Sequence, residues 1–123
     1  MTPVIADIRS LGRAARHLLQ QKAGGHADEH ETSLMLAIDP AAVRLDRAEP
    51  DYGHALDLPK NVFRRPVTFT SDPAASADYS RTGAFGDPTL ATGEKGRAFL
   101  AAMAEDLIQG LRASFPEAFK ASP

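Results

Sequence analysis

Apolar residues along this chain fall into three runs with helical rhythm, interrupted by one long stretch that has none. Over residues 5–21, Ile8, Leu11, Ala15, Leu18 and Leu19 recur at helical spacing, while Arg9, Arg13 and Arg16 fall mostly elsewhere. This predicts an amphipathic helix within an N-terminal segment 1–24, ended by the Gly24-Gly25 pair. Segment 25–48 holds the second helix. Asp28 is placed to cap it, Glu31 three residues on completes a capping box, and Leu34, Met35 and Ile38 form its apolar stripe. Asp39-Pro40 stops that helix and starts a further short turn through Val43.

Segment 49–88 breaks the rhythm. It contains Pro50, Pro59, Pro66, Pro73 and Pro88 and one alternating stretch, "VTFTS", so it reads as a long loop with one short edge strand. Loops of this length are functional or lie against another body, which argues against a self-sufficient domain. Segment 89–123 contains the clearest helix of all: Thr92 caps it, Glu94 favours its positive end, and Leu100, Met103, Leu107, Ile108 and Leu111 are expected to face a core. Pro116 terminates it. Helices with apolar stripes and few short strands are the pattern of outer-layer helices whose sheet lies elsewhere, so the chain reads as one partial α/β domain.

At 123 residues the chain is a single domain by length. A formal net charge of -2 gives it no basic footprint, so nucleic acid is not an expected partner. It has no cysteine, hence no disulfide framework or thiolate chemistry, and its longest apolar run, 99–104, is too short to cross a membrane. A cytoplasmic protein without membrane contact is expected. The arginines of the first helix resemble a transit peptide only faintly, because serine is scarce there.

Candidate chemistry concentrates in "GGHADEHETSLMLA", residues 24–37. One pattern is H-x-x-E-H, with His26 and His30 as zinc ligands and Glu29 as general base of a peptidase. If Asp28 caps the helix, however, His26 precedes its first turn and does not share a face with His30. The plainer alternative leaves Glu29 and His30 as solvated first-turn residues, with the carboxylate complementing the helix dipole. Spacing alone favours that alternative.

Taken together, "HADEHETSLMLAIDPAAVRLDRA" and "TGAFGDPTLATGEKGRAFL" resemble the C-terminal half of the creatininase (creatinine amidohydrolase) family, over roughly residues 26–115. In that family the first motif commonly reads H-A-G-E-x-E-T-S-x-M-L, followed by P-x-L-V and D-x-A, and the second G-x-x-G-D-P-T-x-A-T-x-E-K-G. The chain departs at Asp28, where glycine is usual, and at Ala42, where leucine is usual. The resemblance implies part of a three-layer α/β/α fold, often a ring-like hexamer, that hydrolyses a small amide with two divalent metals (zinc, manganese or iron) and a bridging water. Most metal ligands of the family come from E-Q-H-G...D and N-G-H-x-x-N motifs, and neither occurs here.

By the same resemblance, His26 donates a proton to the leaving nitrogen or steadies the tetrahedral intermediate, Glu29 supplies a metal contact, and Glu31 orients His26 or a metal ligand. His30 occupies the variable place of the motif and is expected at the surface; His17 and His54 have no motif context and are expected to be exposed. Gly83, Gly86 and Asp87-Pro88 are read as a turn and cap, because no G-x-x-x-x-G-K-[ST] follows. The expectation is the C-terminal portion of a creatininase-like amidohydrolase, with half an active site and no activity alone. It would be completed by an N-terminal half or a homo-oligomer. The competing expectation is a non-catalytic remnant or interaction module.

Overall fold

The computed structural model describes residues 4–53, 71–72, 74 and 79–119. Two α-helices dominate, α1 (Glu29–Ile38) and α2 (Gly93–Ser114). Short 3-10 turns occupy Ile8–Ser10, Arg13–Leu18, Pro40–Ala42, Leu45–Arg47, Pro88–Leu90 and Pro116–Phe119. In place of the sheet of an α/β fold, the described residues contain two isolated antiparallel bridges, His26 to Phe85 and Asp51 to Gly86. "VTFTS" and His54 lie outside the described residues, apart from Ser71. No helix among the described residues is long and apolar enough to cross a membrane.

The single helix expected over residues 5–21 is instead two 3-10 turns, and the cause is distant in sequence. Gly12 sits at φ +76°, and the Asp106 carboxylate of α2 accepts from the backbone N–H of Gly12 at 2.8 Å and of Arg13 at 3.4 Å. A left-handed residue whose amide is captured from outside cannot continue a helix. Asp7 caps the first turn, and Ala15 on the second is buried.

The caps of α1 and α2 follow their sequence signals. Asp28 Oδ1 accepts from Glu31 N–H at 2.9 Å and Thr92 Oγ1 from Lys95 N–H at 3.1 Å. Glu31 reaches back to the N–H of Ala27 at 2.7 Å, one residue earlier than in a standard capping box. The two apolar stripes are only partly covered within the described residues, with Leu34 and Met103 half-buried. On α1, Met35 and Ile38 are exposed, whereas Glu29 and Ser33 are fully buried. On α2, Leu100, Leu107, Ile108 and Leu111 are exposed, and the residue that enters the core is Phe99, 1% accessible.

The reason is the closeness of the two helices. A Cβ on Gly96 would stand 1.8 Å from the Ser33 carbonyl oxygen and 2.8 Å from the Ala37 Cβ, so α1 and α2 meet backbone to backbone at that point. Ser33 Oγ accepts from Thr92 N–H at 3.1 Å, tying α1 to the start of α2. The contact is therefore built from small and polar groups, and the buried apolar residues of the described chain are Phe99, Pro88, Ala15, Ala84 and Ala91.

Candidate active site

Both sequence motifs converge on the N-terminal ends of these helices. Glu29 is the first residue of α1, and its carboxylate is fully engaged: Oε1 lies 2.5 Å from Lys95 Nζ, and Oε2 accepts from the N–H groups of Gln20 and Gln21, each at 2.8 Å. Lys95 also donates to Gln20 Oε1 and the Leu90 carbonyl. A buried carboxylate is tolerated only with such complete pairing. Glu29, expected beside a metal, thus has both oxygens taken by protein donors. The lysine and the two glutamines were not singled out as functional in the sequence, although Lys95 stands in the second motif.

His26 and Glu31 are brought together. His26 Nδ1 is 3.9 Å from Glu31 Oε2, and the histidine side chain is 74% accessible. His26 is held by its backbone: Phe85 N–H donates to its carbonyl at 2.7 Å, and the N–H groups of Gly25 and His26 donate to the Phe85 carbonyl. Ala27, between His26 and the cap, sits at φ +46°, a left-handed conformation that costs a non-glycine residue about 1 kcal/mol. That turn lets the chain leave the Phe85 bridge and enter α1 within two residues.

His30 is not the surface residue expected. Its ring meets Phe99 edge to face, with centroids 4.3 Å apart, and its Nε2 is buried without a hydrogen-bond partner among the described residues. His17 is exposed, as expected, with Nδ1 at 2.8 Å from the Ala14 carbonyl. His26 and His30 thus have different partners and Glu29 is neutralised by Lys95, so the H-x-x-E-H peptidase arrangement is not assembled. No set of three or more His, Cys, Asp and Glu side chains gathers as a metal cage among the described residues. The described residues therefore do not fit a metal centre of their own.

The second motif is anchored from behind. Gly86 exchanges two backbone hydrogen bonds with Asp51, at 2.8 and 3.0 Å. The Asp51 carboxylate accepts from the N–H groups of Gly53 and Thr82 and from the hydroxyls of Thr82 and Ser80, and these donors, Gly53 first, pull its pKa down to about 2. Glu49 is paired with Arg81 at 2.6 Å, which lowers its pKa. Asp87 caps Pro88–Leu90, so the expected turn-and-cap role of this stretch is what the structure contains. A groove of about 420 Å³ opens beside Glu31, lined among others by Ala27, Met35, Val43, Arg47 and Ala84.

The profile described as creatinine amidohydrolase matches residues 3–111. In two strains of Mycobacterium tuberculosis, proteins named mycofactocin precursor peptide peptidase are 32% identical over 119 residues, 95% of this chain and 44% of theirs. The protein of that name from Mycobacterium ulcerans is 34% identical over 108 residues, 85% of this chain and 39% of its own. The chain therefore spans less than half the length of these relatives. No solved structure matches it significantly.

Proposed function

This chain belongs to the creatininase family, and on that premise we propose that it forms part of a hydrolase acting on a carbon–nitrogen amide bond, with His26 as its proton-transfer residue. The observation that carries this reading is the convergence of the two motifs, which presents His26 beside Glu31 on a loop pinned from both sides. Hydrolysis adds the oxygen of water to the carbonyl carbon, breaks the C–N bond and must deliver a proton to the departing nitrogen, because an amine leaves poorly as an anion. A protonated His26 gives that proton and is recharged by the one the attacking water loses. Glu31 attracts the protonated ring and so sets its orientation.

The groove beside Glu31 falls within the roughly 300–1,000 Å³ usual for small-molecule sites. A small amide or short peptide is the proposed substrate, the latter because the relatives are named as peptide peptidases. The divalent metals expected of the family would be held chiefly by the E-Q-H-G...D and N-G-H-x-x-N motifs, which this chain lacks. Within this chain both oxygens of Glu29 are already taken by protein donors.

The test is to complete the chain with a polypeptide carrying the E-Q-H-G...D and N-G-H-x-x-N motifs and to follow peptide-amide cleavage by mass spectrometry. No cleavage by a complex that binds its metals would remove the reading.

A second reading, a non-catalytic interaction module, is favoured by the exposed Leu107, Ile108 and Leu111 stripe of α2. It predicts self-association and hydrophobic-dye binding by the isolated chain. A sharp monomer in sedimentation with no dye binding would exclude it.

A further inference from the structure

His26 rides on a loop of residues 22–27 that leaves the chain at Gln21 and returns at Asp28. One side-chain hydrogen bond closes its base, Gln21 Nε2 donating to Asp28 Oδ2 at 2.8 Å. The oxygen of the same amide accepts from the N–H of Glu29, which begins α1, at 3.0 Å, and from the N–H of Asp87 at 3.1 Å. Asp87 follows the Phe85–Gly86 stretch that bridges His26 and Asp51. Three segments thus meet on one neutral side chain: the N-terminal connector and both motifs.

Two glycines leave the slot in which this happens. A Cβ on Gly24 would fall 2.0 Å from Gln21 Nε2 and 2.2 Å from Asp28 Oδ2, and one on Gly86 would fall 2.5 Å from Asp28 Cβ and 2.7 Å from Gln21 Oε1. Asp28 is also the position where the chain departs from the glycine of the motif. Its carboxylate is used twice, Oδ1 capping α1 and Oδ2 closing the loop, and the residue is buried.

We propose that the Gln21–Asp28 clasp is a positioning device for His26, holding the loop base so that the imidazole stands beside Glu31. The inference rests on the reading of His26 as the proton-transfer residue. A carboxamide suits the place because it donates and accepts at once without titrating, whereas a carboxylate there would face that of Asp28. Proton transfer depends steeply on such placement, since a shift of about 1 Å can cost on the order of 10²-fold in rate.

Two substitutions test the clasp. Gln21→Met keeps the length and removes all three bonds. Gln21→Glu keeps the acceptor for Glu29 and Asp87, but meets Asp28 favourably only when the two carboxyls share one proton. Amide hydrogen exchange and the His26 ring resonances are followed in the chain itself, and turnover in the chain completed as above.

In Gln21→Met, exchange at Gly25 and Phe85, the donors of the His26 bridge, should rise at least about tenfold, since three bonds are lost and a single one at the upper end of the usual range gives that factor. Exchange around Met103 on α2 should stay unchanged, and kcat should fall with KM unaltered. Gln21→Glu, which loses only the Asp28 bond, should show a smaller rise at the same amides at about pH 8 and recover toward wild type at about pH 5. Unchanged exchange at Gly25 and Phe85, a uniform rise across α2, or a Gln21→Glu defect indifferent to pH would overturn the proposal. If Gln21→Met does not fold, the pH response of Gln21→Glu decides alone. Exchange and ring resonances are read without turnover, so full activity in His26→Ala would remove the catalytic reading separately from the clasp.

Discussion

Gly96 on α2 lies against Ser33 on α1 so closely that any β-carbon at position 96 would sit 1.8 Å from the Ser33 carbonyl oxygen. Backbone cannot yield as the end of a flexible side chain can, so Gly96→Ala must push the helices apart. The expected loss is at least about 3 kcal/mol, the upper end of overpacking costs. Gly110, in the same helix, has nothing within 4 Å of its would-be β-carbon. There Gly110→Ala should stabilise by about 0.5–1 kcal/mol through helix propensity. Urea melts of both variants check the pair, and equal effects would show that helix contact is looser than described.

Lys95 and Glu29 should respond unequally to removal of their charge. Lys95→Met leaves a fully buried carboxylate facing no cation, and breaking such a pair costs about 3–5 kcal/mol. Glu29→Gln leaves a lysine that retains Gln20 Oε1 and the Leu90 carbonyl, and it should cost less. Chemical denaturation compares the two. If Glu29 acts only as this internal counter-ion, Glu29→Gln should also leave the metal content of the completed hydrolase unchanged, as read by elemental analysis.

His26 and His30 separate the hydrolase reading from the zinc-peptidase reading. In the completed protein, His26→Ala should lower turnover on the order of 10²-fold or more, as removal of a general acid does. Metal content should barely change. His30→Ala should keep both metal and turnover, while losing stability through its Phe99 contact, since the ring is packed rather than solvated. Loss of metal in His30→Ala, or undiminished turnover in His26→Ala, would refute this division of roles.

Acid should weaken the fold partly through Asp51. Its carboxyl titrates at about 2 in the folded chain against an ordinary 3.8, so it binds protons less readily folded than unfolded. The stabilisation is complete above about pH 4 and is lost as pH falls toward about 2. Asp51→Asn should be less stable than wild type at neutral pH, and its stability should change less over that acid range. Guanidinium midpoints between these limits test the point. An identical pH slope in both proteins would count against the Asp51 cluster as its source.

Local chemistry was legible in the sequence and distant chemistry was not. Asp28, Asp39, Asp87 and Thr92 were recognisable as caps because each caps within three residues of itself. The approach of His26 and Glu31 followed from one motif. By contrast, the helix read over residues 5–21 was broken by Asp106, more than ninety positions away. The contact between α1 and α2 was not legible either: Gly96 brings the polar Ser33 face of α1 into it, and the apolar stripes are left half-buried at Leu34 and Met103 and exposed elsewhere. Gln21 carried no signal: a glutamine at the end of an amphipathic run looks like any other until its three partners arrive.

Those arrivals bear on how the chain folds. The bonds that unite it join residues 59, 66, 75 and 94 positions apart, namely Ser33 to Thr92, Glu29 to Lys95, Gln20 to Lys95 and Gly12 to Asp106. Helices of this length form within microseconds, but each of these closures must draw together ends of a long, disordered coil before any contact rewards it. The winding of the helices is thus the fast part of assembly, and the slower part is the meeting of the distant segments that these four bonds join.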